Sequence, residues 1–262
     1  MIRALMTAAS GMKAQQKQVD TIANNIANVN TGGFKKSNLA FRSMLYQTYR
    51  EPGASTNASQ MNPTGLQIGS GVEISGSTKD FRQGELEPTG APFDLSIQGE
   101  GFFEITLGNG EVRYTRDGSF RRDGNGKIVT PEGYPVTGAP EIPPTAIDVI
   151  VTEDGRFLSR NSEGEVPAEI GKMQLFRFAN PSGLKAQGGN LYSLTASSGV
   201  AVTTDPGNEG TGIIRQGYRE RANVETVDEL VGLILAQRNY EVNSRAVRVS
   251  DEMLQQVNQM IR

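Results

Sequence analysis

One loop of this 262-residue sequence begins like a calcium-binding loop. Asp123-Gly124-Asn125-Gly126-Lys127 has the alternating oxygen-bearing residues with which such loops start. The pattern then fails, because Lys127 stands where a third oxygen ligand is needed and Tyr134 stands where the bidentate glutamate belongs. We therefore predict a tight turn here and no metal site.

Two further motifs could suggest nucleotide binding or glycoside hydrolysis. Gly99-Glu100-Gly101-Phe102-Phe103 lacks the βαβ unit of a dinucleotide fold, so we predict a sharp bend before a buried strand. The carboxylate pairs could serve a glycosidase, but they lie in loop-like sequence, and we predict solvated charge. These pairs are Glu85 with Glu87 and Glu163 with Glu165.

Composition removes most other catalytic classes. The chain has no cysteine, histidine or tryptophan, so thiol chemistry, the usual zinc sites and histidine-based triads are excluded. The formal net charge is −3 and the charges are spread along the chain, which predicts no nucleic-acid partner. We expect no enzyme activity, no catalytic residue, no metal and no cofactor. We also expect no membrane-spanning segment and no cleavable signal peptide, so that export would follow another route.

The two ends of the chain carry matching apolar patterns that predict paired helices. In the first thirty residues a narrow seam repeats every seven positions, with a second set at the half-steps. That seam consists of Leu5, Met12, Val19 and Ile26, with Ala8, Gln15, Ile22 and Val29. The C-terminal seam consists of Leu233, Tyr240, Val247, Leu254 and Ile261, with Ala236, Asn243, Ser250 and Val257. The pair could close one chain only, or could also pack against copies of itself.

Asparagines crowd the predicted end of the first helix. Asn24, Asn25, Asn28 and Asn30 precede Gly32-Gly33, where paired glycines permit the left-handed backbone that stops helices. A local cap explains one of the four, because asparagine is a weak helix former. We predict that the other amides bond groups outside the helix.

The middle of the chain predicts strands. Short apolar or alternating runs are separated by glycine and proline, and Asn109-Gly110, Asp117-Gly118 and Asp154-Gly155 predict hairpin-type turns. The apolar residues of 34–50 fit either a helical face or a strand, and we predict an extended conformation. The fold class is therefore α+β, with N- and C-terminal helices forming a coiled-coil-like inner domain and with an inserted all-β body. We predict the domains as 1–34 plus 222–262 (terminal-helix inner domain), 35–65 (extended connector and insertion) and 66–221 (β-rich outer body).

Three motifs, in order, resemble those of the bacterial flagellar rod and hook family. The first is Ala23 to Lys35, the second joins 99–103 with 114–120, and the third runs from Ala222 through Gln255. The similarity covers essentially the whole chain. Within the family, 45–54, 65–72 and Gln216-Gly217-Tyr218 resemble the distal rod branch, and the length fits that branch better than the longer hook proteins. Asn239 and Ala222 depart from common family residues without changing the assignment.

The resemblance implies a structural subunit of the distal rod. It implies a homo-oligomer in the form of an open, hollow helical tube that transmits motor torque to the hook and conducts exported subunits. Implied partners are the proximal rod proteins, the hook protein, the P-ring and L-ring proteins and the flagellar type III export apparatus. The implied location is the periplasmic part of the flagellar basal body, reached without a cleaved signal peptide and crossing towards the outer membrane.

Three residue sets follow from this interpretation. We predict an assembly interface through the terminal helices at Leu5, Met12, Val19, Ile22, Asn24, Asn25, Ile26, Asn28, Leu233, Tyr240, Asn243, Val247, Leu254, Val257 and Ile261. We predict a neutral channel lining at Gln237, Asn239, Gln255, Gln256, Asn258 and Gln259. In the family, 41–60 is associated with a straight, stiff rod, and we predict a rod-specific segment at Tyr46, Gln47, Thr48, Tyr49, Arg50, Pro52 and Gly53.

Two alternatives stay open at this point. A hook or other axial flagellar protein would share the terminal helices but would carry an added outer domain. A carbohydrate-binding β module would need an aromatic platform, and only 6% of the residues are aromatic.

Overall fold

The computed structural model describes residues 2–52, 55–57, 60–61, 64–161, 166–208 and 210–260. Helix α1 spans Ile2–Ala27 and helix α2 spans Thr226–Met260. The chain between them is β-structured, which confirms the α+β prediction. Among the described helices, none is both long enough and apolar enough to cross a membrane.

The strands are short, as the frequent glycines and prolines predict. The first seven are β1 (Ser37–Ser43), β2 (Tyr46–Arg50), β3 (Ser55–Asn57), β4 (Gln60–Met61), β5 (Leu66–Gly69), β6 (Val72–Lys79) and β7 (Leu86–Pro88). The next seven are β8 (Leu95–Gln98), β9 (Phe103–Thr106), β10 (Val112–Thr115), β11 (Arg121–Arg122), β12 (Ile128–Val129), β13 (Asp148–Val151) and β14 (Arg156–Arg160). The last seven are β15 (Ala168–Lys172), β16 (Leu175–Arg177), β17 (Lys185–Gly188), β18 (Leu191–Ser193), β19 (Val202–Thr204), β20 (Ile213–Gln216) and β21 (Tyr218–Glu220).

The chain forms two compact units. Unit 1 contains 1–26, 37–78 and 225–262, and unit 2 contains 27–36 and 79–224. The boundaries of these units differ from the domain boundaries predicted from the sequence, and the sequence-based domains remain a prediction.

Unit 1 holds the two helices, the strand pair β1 with β6, and the antiparallel pairs β2 with β5 and β3 with β4. The strands β1 and β2 confirm the extended conformation expected for 34–50. The apolar residues of that stretch therefore lie on strands and do not form a helical face.

Unit 2 contains the main apolar core. Its largest sheet has the order β17-β18-β10-β9, and β13-β14-β15 form a second sheet. Shorter pairs are β11 with β12, β16 with β19, β20 with β8 and β21 with β7. The core includes Phe103, Phe157, Met173 and Leu175, all fully buried. A second cluster of aromatic rings packs edge to face around Phe102.

Two of the three predicted hairpin turns are confirmed. The turn at Asn109-Gly110 joins β9 to β10, and the turn at Asp154-Gly155 joins β13 to β14. The prediction for Asp117-Gly118 was wrong, because β10 pairs with β9 and β18 and the chain then leaves that sheet. Both residues lie instead in a packed corner, where the Gly118 carbonyl accepts a hydrogen bond from the backbone N–H of Leu95.

Candidate assembly interface

The two helices of unit 1 pack antiparallel. The Cα of Gly11 faces the Asn243 side chain so closely that a Cβ there would lie 2.9 Å from Nδ2. Eleven residues further along α1, Ile22 lies against Gly232, which is eleven residues back along α2. Equal and opposite steps are what an antiparallel helix pair requires. The prediction that the ends meet is therefore confirmed, and Gly11 allows the close approach.

The predicted seams face each other over most of their length. On α1, every seam residue from Leu5 to Ile26 is buried or half-buried. On α2 the same holds for Leu233, Ala236, Asn243, Val247, Ser250 and Leu254. Tyr240 and Val257 remain exposed, and Ile261 lies outside the described residues. A repeat of sevens drifts about 20° per heptad around a straight helix, which carries Val257 away from the partner.

The asparagine prediction is confirmed for Asn25. Its side chain is buried, donates to the Ser37 carbonyl at 3.1 Å and accepts from the Ser37 N–H at 3.0 Å. It also donates to Glu229 Oε2 at 3.2 Å. The amide thus mimics one residue of a β-ladder at the start of β1 and ties it to α2. Asn28 accepts from the Thr31 hydroxyl at 3.3 Å, and Asn24 lies exposed on α1.

A second apolar stripe on α2 was missed by the sequence reasoning. It consists of Val231, Leu235, Val242, Val249, Met253 and Met260, which are 47–86% exposed. The members are spaced four or seven residues apart, so they line one side of the helix, about 130° from the centre of the seam. The spacing can be read from the sequence, but the sequence analysis considered only the heptad seam on the other side of the helix.

Apolar residues are distributed very unevenly between the two units. Among the described residues, unit 1 contributes twenty of the twenty-eight exposed large apolar side chains. It contributes only four of the twenty-five buried apolar residues, and three of these are alanines. Unit 1 therefore exposes far more apolar surface than a self-contained domain of its size needs to, and such surface marks an interaction site.

The predicted rod-specific segment forms an antiparallel ribbon with the strand that follows it. Tyr46 pairs with Gly69 and Thr48 pairs with Gln67, and all five side chains of β2 are exposed. Leu45, just before β2, is 88% exposed. Pro52 is exposed as well, and Gly53 lies outside the described residues.

The predicted channel-lining residues are all exposed on α2, but they do not share one face. At about 100° per residue, Gln237, Gln255 and Gln259 fall within about 40° of one another. Asn239 lies about 160° away from Gln237. A channel wall built from this helix would therefore use the three glutamines together and would leave out Asn239.

Two of the three signature motifs meet at a buried ion cluster in unit 2, together with Glu220, which lies two residues before the third motif. Glu220 accepts from Lys35 Nζ at 2.7 Å and from Arg116 Nε at 3.1 Å. The three side chains are 0–4% exposed. Arg116 also donates to the carbonyls of Gly99 and Gly101 at 2.8 and 2.7 Å. The sequence reasoning treated these motifs as marks of resemblance and did not foresee that they touch.

Burial and backbone geometry shape this cluster. Burial lowers the pKa of Lys35, and the Glu220 carboxylate opposes that shift. The backbone N–H of Gly84 donates to Glu220 Oε1 at 2.8 Å. Gly33 has φ +66° and its Cα lies against the Asp117 backbone, where a Cβ would come within 2.5 Å. Only glycine fits there, which explains the second glycine of the N-terminal motif.

The candidate chemical motifs serve structure. Asp123 accepts from the N–H groups of Asn125 and Lys127, which confirms the predicted turn between β11 and β12. Gly99 and Gly101 have positive φ and precede the buried Phe102 and Phe103, which confirms the predicted bend. No group of acidic residues able to hold a metal occurs in the described part of the chain.

The carboxylate pairs give no support to a glycosidase. Glu85 and Glu87 are exposed and both lie near Arg221, at 3.6 and 3.9 Å. Glu163 and Glu165 lie outside the described residues. The aromatic cluster at Phe81, Phe102 and Phe178 packs within unit 2 rather than forming the surface platform that a carbohydrate-binding module needs.

Comparison with known proteins agrees with the geometry. Residues 5–35 match the model "Flagella basal body rod protein", 96–158 match "Flagellar hook protein FlgE/F/G D1 domain", and 215–260 match "Flagellar basal body rod FlgEFG protein C-terminal". The flagellar basal-body rod protein FlgG of Borreliella burgdorferi is 43% identical, with both chains covered in full. FlgG of Buchnera aphidicola subsp. Schizaphis graminum is 42% identical over 99% of this chain and 100% of its own. The Bacillus subtilis flagellar hook-basal body complex protein FlhP is 27% identical over 98% of this chain and 99% of its own. The chain belongs to the FlgG family of flagellar basal-body rod proteins.

Proposed function

We propose that this protein is the structural subunit of the distal rod, and that its copies polymerise into a hollow helical drive shaft between motor and hook. In this proposal the shaft transmits torque and conducts exported subunits. Membership of a structural flagellar family supports a building role and not catalysis. The tube, its channel and its role in transmitting torque are inferred from the resemblance to the rod family.

The observation that carries the proposal is the uncovered apolar stripe on α2. Burying one valine, leucine or methionine side chain contributes about 1.5–3 kcal/mol, so six of them in a row provide a strong drive for association. The seam of α2 is already occupied by α1 of the same chain. The stripe therefore needs a partner outside the chain, and a second copy is the partner that a rod subunit meets most often.

We infer an open assembly. A surface that meets a different surface on the next copy forms a heterologous contact, and such contacts give filaments when the rotation does not close. We propose that the stripe contacts another copy in this way. Val257, a predicted interface residue that stays exposed, lies about 60° around α2 from the centre of the stripe and can join this contact, whereas Tyr240 lies on the opposite side of the helix.

The neighbours at the ends and sides of the rod are part of the proposal. We infer contacts with the proximal rod proteins below, the hook protein above and the P-ring and L-ring proteins around the rod. We also infer delivery through the flagellar type III export apparatus into the periplasm. Membership of the rod family supports assembly in the flagellar rod, and the individual partners are our inference.

Charge in the stripe tests the function. In cells whose own copy is replaced, Val242→Asp with Val249→Asp should abolish rods, because two carboxylates would be buried at the contact between copies. Val200→Asp is the matched control, since Val200 is exposed in unit 2 and not in the stripe. Rods are scored by electron microscopy of isolated basal bodies, and the secreted monomers by circular dichroism. Normal rods in the double variant would refute the proposal.

A further inference from the structure

The guanidinium of Arg3 clamps both strands of the β2–β5 ribbon to the first turn of α1. Its Nη1 donates to Gln47 Oε1 at 2.7 Å and to the Tyr49 hydroxyl at 2.5 Å. Its Nη2 donates to the Ile68 carbonyl on the other strand at 3.2 Å. The Arg3 Cζ also lies 5.6 Å from the centre of the Tyr49 ring, within range of a cation–π contact.

Strand pairing and a bulge bring the three acceptors together. Gln47 and Tyr49 both reach the Arg3 guanidinium, and the register shift between Thr48 and Arg50 leaves Tyr49 as the extra residue of β2. Ile68 is the cross-strand partner of Gln47, which brings its carbonyl next to them. A planar guanidinium spreads five donors over three nitrogens and reaches all three groups from two of them, whereas a lysine ammonium would have to supply every bond from one nitrogen at the end of a flexible stem.

The ribbon has little else to hold it in place. Every side chain of β2 is exposed, and on β5 only Gly69 is partly covered. An isolated two-stranded ribbon is marginally stable in water. Its direction relative to α1 must therefore come from a small number of specific contacts, and the Arg3 contacts bind both strands.

We propose that Arg3 is a positioning residue for the rod-specific segment, and that the ribbon is ordered only while the first turn of α1 is folded. The importance of this contact to the rod rests on the proposed function. The contact itself lies within unit 1 of one chain. A subunit whose N-terminal helix has not yet formed would present a loose ribbon, and helix formation would fix it.

Hydrogen exchange on the full-length protein tests the proposal. Exchange is measured by mass spectrometry in the monomer and in assembled rods. Variants are compared with wild type in the state in which the backbone amides of α1 are protected from exchange. In Arg3→Gln, the peptides covering 46–50 and 66–69 should exchange about three- to ten-fold faster, while those of α2 should not change. Arg3→Lys should behave like Arg3→Gln, because it loses the planar set of guanidinium donors although it keeps the positive charge.

Two further variants serve as control and as second test. Lys13→Gln removes another exposed cation from α1 and should leave the ribbon unchanged. Gln47→Met with Tyr49→Phe removes two acceptors from the ribbon while α1 keeps its own sequence, and should reproduce the faster exchange.

Wild-type exchange in Arg3→Gln, full rescue by Arg3→Lys, or unprotected α1 amides in both states would overturn the proposal. Rod formation is recorded separately. A protein that makes no rods but shows the expected exchange would contradict the proposed function alone.

Discussion

Replacing Glu220 with glutamine should destabilise unit 2 severely. The substitution keeps the shape of the side chain but removes the negative charge that faces Lys35 and Arg116, both almost fully buried. The carboxylate only accepts hydrogen bonds, whereas the glutamine amide has an NH2 group that would face the donors of Lys35 or Arg116. Leaving a buried charge without its partner costs about 3–5 kcal/mol. For a domain of this size that corresponds to a fall in Tm of roughly 6–20 °C.

Denaturant and thermal unfolding of the full-length monomer, followed by circular dichroism, measure this cost. Glu87→Gln is the matched control, because Glu87 is half exposed and 3.9 Å from Arg221. It should cost less than about 1 kcal/mol. In the Glu220→Gln background, Lys35→Gln removes one of the two cations that have lost their partner. It should therefore lower the free energy of unfolding by less than Lys35→Gln does in the wild-type protein. If Glu220→Gln costs no more than Glu87→Gln, the ion cluster does not stabilise unit 2 and our reasoning is wrong.

Three other predictions concern pH, the channel and the rod. Burial and Glu104 raise the pKa of Tyr114 from 10.0 to about 12, so the unfolded chain loses this proton first. The stability that Tyr114 contributes is therefore complete below pH 10 and is lost between pH 10 and about 12. Urea unfolding across that range should show a loss of unfolding free energy in wild type and a smaller loss in Tyr114→Phe. Leucine at Gln237, Gln255 and Gln259 together should slow secretion of hook subunits, while Asn239→Leu should not; equal secretion by both would remove the channel hypothesis. Deleting 46–53 should give curved or pliable rods in electron micrographs, and straight rods would contradict the role of that segment.

The overall plan could be predicted because each part has a strong local signal. Sevenfold spacing marked the helix seams, and glycine-separated apolar runs marked strands such as β9 and β13. The bend at Gly99 followed from glycines placed before two aromatic residues. These signals depend on neighbours in the sequence, which is why they survive without a structure.

The ion cluster could not be predicted in this way. Lys35, Arg116 and Glu220 lie 81 and 104 residues apart, and nothing in their neighbourhoods distinguishes a buried charge from a solvated one. The turn at Asp117-Gly118 failed for the same reason, because a long-range approach to Leu95 decides its shape. The stripe on α2 was missed although its spacing was visible, since burial by the partner helix is what separates the two apolar faces.

The central claim is that copies of the chain cover the stripe on α2 when the rod assembles. The chain has no cysteine, so Val242→Cys gives a single thiol in the middle of that stripe. The rate at which a maleimide labels this thiol should be high in the monomer and should fall at least about tenfold in isolated rods, because burial blocks the reagent. Equally fast labelling in the rod and in the monomer would show that the stripe stays open to solvent and would contradict the account.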